Sequence, residues 1–157
     1  MAALTVIGVG SRLRGDDAIG PLLIDALSQL SHSQLELVDA GSDTLGVLEY
    51  FEGRDHVIVV DACQMGRQPG CIVEFDPNQI DFVLKDDPLS LHGLGLAESI
   101  KMADSLDMLP KDLKIIGIEP ESIQFNGSLS VPVKKALKMA VEIVEDKLNR
   151  VSQLAEA

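Results

Sequence analysis

Tryptophan is absent, and the aromatic set is one tyrosine and four phenylalanines. That leaves too little to build a stacking platform for nucleobases. Basic residues are also scarce: 13 Lys and Arg stand against 25 Asp and Glu, for a formal net charge of −12. Nucleic acid and anionic membrane surfaces both require a positive footprint, so neither is expected as a partner. Only two cysteines occur, Cys63 and Cys71, outside any C-x-x-C pair and with no His/Cys cluster around them. This argues against a structural zinc site and fits free, buried thiols in a reducing compartment. No apolar run reaches the roughly 18 residues of a membrane span; the longest, "LTVIGVG" and "HVIVVDA", have strand length. The opening "MAALTVIGVG" has neither a basic start nor a cleavage pattern. No signal peptide is expected, and the expected location is the cytoplasm.

What is present suits one domain over residues 1–157, with 46% hydrophobic residues to build its core. "LTVIGV" reads as a buried strand. "DDAIGPLLIDALSQL" has apolar residues at helical spacing, with Asp16 or Asp17 as the natural N-cap. "LELVDAG" is a second strand, "TLGVLEYFEG" a short helix, and "DHVIVVDAC" a third, most apolar strand, expected centrally. The link "QMGRQPG" is too short for a helical crossover, so "CIVEFDP" is expected antiparallel to its neighbour through a hairpin-like connection. A turn-rich stretch, a helix at "LGLAESIKMADSLDML", a fifth strand at "LKIIGIEP", a loop and a last helix from "VPVKKALKMA" follow, with 150–157 as a frayed tail. The alternation predicts an α/β sandwich with a mostly parallel sheet and one antiparallel strand.

In such a sheet the carboxyl ends of the strands share one edge, where sites form. Asp16 and Asp17 follow the first strand, Asp39 the second, Asp61 ends the third and Glu119 the fifth, while His92 immediately precedes a helix. Each has a plainer reading. Asp16 and Asp17 suit a helix cap and first turn, Asp39 an Asx turn, Asp61 a turn, Glu119 a solvated acid, and His92 a loop histidine bonded to backbone. Their succession at strand ends is what points to function. Carboxylates gathered there repel one another unless a divalent metal or cationic group intervenes. The glycines of "GVGSRLRGDDAIG" look like a phosphate loop. The G-x-G-x-x-G pattern fails, however, because Leu13 holds its third glycine position and two acids stand where a pyrophosphate would meet the helix. Nucleotide binding is therefore disfavoured. The same acids with an imidazole form an O/N set that suits Ni, Zn, Mn or Fe without distinguishing them. No H-E-x-x-H and no G-x-S-x-G occurs, which excludes a thermolysin-like protease and a serine-hydrolase elbow. His32 and His56 look peripheral, and Arg12 and Arg14 are expected to be solvated.

The same stretches together resemble the maturation endopeptidases of [NiFe] hydrogenases, most closely those serving formate-hydrogenlyase-type hydrogenases. "GVGSRLRGDDAIG" matches their G-x-G-N-x-L-x-x-D-(D/E)-x-x-G opening, with Ser11 in place of Asn and Ala18 in place of a common Gly. "DAGSDTLG", "VVDAC", "LHGLGL", "GIEP" and "LSVPV" match further family segments in order. The resemblance implies a three-layer sandwich with a central five-stranded sheet and helices on both faces. It implies an aspartate- and metal-dependent endopeptidase that removes a short C-terminal extension from the hydrogenase large-subunit precursor after nickel insertion. It places the metal-contacting residues at Asp17, Asp61 and His92. Asp39 or Asp16 would stand behind them as a base or supporting acid. The nickel would come with the substrate, so no permanent metal is expected, and a monomer is expected. The rivals are a same-fold protease with another substrate, a non-catalytic assembly factor for the nickel-loaded subunit, and a nucleotide-binding regulator.

Overall fold

The computed structural model describes residues 2–85 and 93–156. Strand β1, Leu4–Val9, is buried at every position. Its continuous apolar run demands cover on both faces, which only an interior strand receives. The sheet has five strands in the order β2-β1-β3-β5-β4, where β2 is Leu35–Gly41, β3 His56–Ala62, β4 Ile72–Phe75 and β5 Asp112–Ile118. β1 runs parallel to β2 and β3, and β3 parallel to β5, with His56 opposite Asp112 and Asp61 opposite Gly117. The most apolar strand, β3, is the middle one, as the sequence predicts.

Alternation along the strands splits the core into two layers. Val6, Ile58 and Ile116 face helices α1, Ile19–Ser28, and α4, Val131–Glu156, meeting Leu23, Leu27, Ala140 and Val144. Ile7, Val59 and Ile115 face the opposite side. There a 3-10 turn over Leu45–Tyr50 and helix α3, Gly93–Ser105, supply Val47, Leu96 and Ile100. A short α2, Ile80–Val83, follows β4 on this side and buries Ile80. Each such buried aliphatic contributes about 1.5–3 kcal/mol relative to exposure. The result is the expected α/β sandwich with helices on both faces. α4 stays helical through the segment read as a tail. No described helix is long and apolar enough to cross a membrane.

One connection departs from expectation. β4 does not form a hairpin with β3; it pairs antiparallel with β5, Ile72 opposite Ile118. The nine residues between Ala62 and Ile72 are enough to pass two strand spacings, about 10 Å. They cross the carboxyl end of β5. Cys63 N donates to Ile118 O (3.0 Å), Gly70 N to Glu119 O (2.8 Å) and Glu119 N to Cys71 O (2.9 Å). The Glu119 carboxylate fastens the crossing by accepting Met65 N at 2.9 Å and Arg67 N at 2.8 Å.

The glycines after β1 serve close approach of backbone to backbone. A Cβ on Gly20 would lie 2.6 Å from Val9 N and 2.9 Å from Val60 O, and one on Gly8 2.6 Å from Gly20 C. Side chains at either position would push α1 off the sheet. With glycine, the start of α1 lies directly on β1 and β3. The 3-10 turn Gly15–Ala18 that precedes it is thereby set at their carboxyl ends.

Candidate active site at the carboxyl edge of the sheet

Asp61 is the second-last residue of β3 and has no solvent exposure. Neither of its carboxylate oxygens has a hydrogen-bond partner among the described residues. Burial pushes its carboxyl well above the usual carboxylate range, the nearby Asp17 carboxylate adds to this, and the Ala62 amide opposes it. Asp17 lies in the 3-10 turn and is also buried. Its Oδ2 accepts the Ser11 amide at 2.8 Å. Gly10, at φ +142°, allows this fold-back, because a Cβ there would collide with the Asp17 carbonyl. The two acids are therefore close together in a site closed to bulk water. The Cys63 thiol senses the same neighbourhood: burial raises it first, then Asp61, Glu119 and Asp17. A thiol buried in this way beside acids is a poor nucleophile, which argues against Cys63 in that role.

Asp16 departs from the expected capping role. Neither it nor Asp17 caps α1, whose N-cap is Ala18 without a side-chain bond. The buried Asp16 carboxylate instead crosses to the segment after β5. It accepts Glu121 N (2.8 Å), Ser122 N (3.1 Å), Ser130 N (2.7 Å) and Ser130 Oγ (2.8 Å). Held by these four donors it is a brace between the two segments. Asp39 forms the Asx turn, accepting Gly41 N at 2.9 Å, and its other oxygen takes Arg12 Nη2 at 2.9 Å. Arg12 is thus not simply solvated: it bridges Asp39 and Asp25, reaching the latter at 2.6 Å and 2.8 Å. Those bonds hold the Asp25 carboxyl below the usual range. Glu119 is the anchor of the β3–β4 crossing. His92 lies outside the described residues. His56 sits at the other end of β3, paired with Asp112 at 2.7 Å, and His32 accepts Gln34 N in an exposed turn. A groove of about 480 Å3 beside Lys101, Pro110 and Leu113 also lies at that far end, away from the acids.

The arrangement offers a hard, desolvated oxygen pair at the sheet edge. It can accept a cation, or hold a proton while none is there. Residues 21–147 match the sequence profile of HycI, the hydrogenase maturation protease family. The chain belongs to that family.

The chain is similar to the hydrogenase 2 maturation protease of Escherichia coli K12, at 30% identity over 144 residues, covering 90% of this chain and 87% of that one. It is 28% identical to the hydrogenase expression/formation protein HupD of Thiocapsa roseopersicina, and the match covers 89% of this chain but 65% of HupD's length. Among solved structures it superposes on the endopeptidase HybD of E. coli with a TM-score of 0.79 at 29% identity, covering 96% and 93% of the two chains. On the [NiFe] hydrogenase maturation protease HybD of Thermococcus kodakarensis the TM-score is 0.76 at 25% identity, covering 94% and 99%. The strand-end pattern places Asp17 and Asp61 at the same sheet edge, but it holds no sign of the brace role of Asp16 or the anchor role of Glu119. The available signal was weak: Ser130 before Val131-Pro132 reads as a helix entry, but nothing nearby in sequence points to Asp16, 114 positions away.

Proposed function

We propose that this hydrogenase maturation protease removes the C-terminal extension of a [NiFe] hydrogenase large-subunit precursor once nickel is in place. The family and the names of its relatives support the reaction class and the kind of substrate. One observation at the site carries the rest. Asp61 is fully buried with both oxygens unpartnered among the described residues. Such a group destabilises the free protein, and an arriving cation reverses that cost.

In this reading Asp17, Asp61 and His92 reach the nickel that the precursor already carries. The metal belongs to the substrate, and the enzyme keeps none of its own. Two carboxylates and an imidazole suit a divalent ion of this type. Binding requires Asp61 to ionise, so the proton is released as the cation arrives. A precursor without nickel leaves the two acids opposed and the scissile peptide unheld, which makes the site a gauge of correct loading. Asp39, tied to Arg12, supports the loop that carries Asp17. The free Cys63 and Cys71 suit a reducing compartment, and we place the reaction in the cytoplasm with the protease acting as a monomer.

The test is to incubate the protein with precursor in nickel-loaded and nickel-free forms and follow the precursor's mass. Loss of a C-terminal peptide is expected only from the loaded form. Asp17→Ala, Asp61→Ala and His92→Ala are each expected to slow it at least about 100-fold. Undiminished cleavage by these variants would falsify the residue assignment. A stable complex without product would identify an assembly factor instead.

A further inference from the structure

Two loops form a single rim beside the acids. The loop after β1 and the segment after β5 are joined by the Asp16 carboxylate through Glu121, Ser122 and Ser130. Backbone bonds add to this, Asp16 N to Ser122 O at 2.9 Å and Asn126 N to Leu13 O at 2.8 Å. The loops also touch at Gly15, where φ is +55° and an added Cβ would lie 2.7 Å from Ser122 O. On this rim two large apolar side chains face solvent, Leu13 at 58% and Phe125 at 68% exposure. Beside Leu13 stands Arg14. Its Nε is buried without a hydrogen-bond partner, and among the described residues no carboxylate lies within ion-pair distance of its guanidinium. Arg12, two positions away, is by contrast bound to Asp25 and Asp39. Among the described residues Arg14 is therefore a half-buried cation without a neutralising acid, in the loop that leads to Asp16 and Asp17.

We propose that the Leu13–Arg14–Phe125 rim is the docking surface for the protein substrate, and that Arg14 selects it through a carboxylate side chain flanked by an apolar residue. This rests on the precursor reading above. A guanidinium presents a planar fork that matches a carboxylate in two parallel bonds. An arginine set among exposed apolar side chains is the composition of an interface hot spot. The brace through Asp16 holds the rim rigid before binding, so little ordering is needed when the partner arrives. A nucleic-acid phosphate, the other anion an arginine takes, is disfavoured by the net charge of −12.

The experiment measures processing of the nickel-loaded precursor by the wild type, Arg14→Gln and Arg14→Glu. It uses precursors in which each Asp or Glu near the cleavage point is changed in turn to Asn or Gln, or to Lys. Arg14→Gln is expected to raise KM about tenfold with kcat within about twofold, and Arg14→Glu to raise it further. One acid-to-Lys precursor should restore the KM of Arg14→Glu. An unchanged KM, a loss confined to kcat, or absence of rescue by any precursor overturns the proposal. If the wild type cleaves no precursor, the proposed function fails separately, and direct binding of intact precursor then decides the docking surface. Binding about tenfold weaker for Arg14→Glu than for the wild type supports the rim. Equal binding, or none by either protein, overturns it.

Discussion

Replacing Asp16 with alanine removes one side chain and releases four donors at once: the Glu121, Ser122 and Ser130 amides and the Ser130 hydroxyl. Bonds to an ionised acceptor each contribute about 1.5–3 kcal/mol. The four do not add in full, because the segment 121–130 is largely exposed and its amides turn to water once released. A net loss of about 3–5 kcal/mol follows, comparable with breaking a buried polar network. For a chain of this length that lowers Tm by roughly 10 °C. Part of the loss falls on α4, since Ser130 is the residue before its first turn and its carbonyl accepts Lys134 N at 2.9 Å. The assay is thermal unfolding by calorimetry, with limited proteolysis as a local readout. Cleavage within 121–130 should appear in Asp16→Ala well below its Tm and not in the wild type. A fall in Tm under about 2 °C with the segment still protected would refute the brace.

Other expectations follow from the same structure. Asp61→Asn should abolish processing yet stabilise the fold. The Asp61 carboxyl is raised above its ordinary 3.8 by burial and Asp17, so its stabilising contribution is full below about that pH and is lost as pH rises through the raised value. The variant should therefore melt close to the wild type at pH 4 and about 4–8 °C higher at pH 7.5, for roughly 2 kcal/mol; parallel Tm–pH curves would count against a buried, unpaired Asp61. Glu36 behaves in the opposite sense. The Arg54 guanidinium, against the effect of burial and with help from Thr5, holds its carboxyl down from 4.5 to about 2. That contribution is present above pH 4.5 and is lost as pH falls toward 2, so Glu36→Gln should melt below the wild type at pH 6 and match it near pH 2. A constant difference across that range would show that the pair is not what titrates.

The chain's local pattern was enough for the five strands, the alternation with helices, the central place of β3 and the edge at which Asp17 and Asp61 stand. These follow from hydrophobic period and from strand ends, both properties of short stretches. The partner of β4 was not legible, because it depends on where nine loop residues go, and a carboxylate from another strand, Glu119, settles that. Nor was the fate of the first aspartate pair legible. Asp16 and Asp17 are neighbours of identical chemistry in a turn that reads as a helix cap. Only the arrival of residues 121–130 at the same edge gives Asp16 its four donors, while Asp17 turns back to Ser11 and toward Asp61. Arg12 and Arg14 diverge for the same reason, one meeting Asp25 and Asp39 from α1 and β2, the other meeting no acid among the described residues. Periodicity records which face of an element is buried. It holds no record of which distant donor or charge will face a given side chain, and that is what gives one of two adjacent aspartates four donors and turns the other toward Asp61.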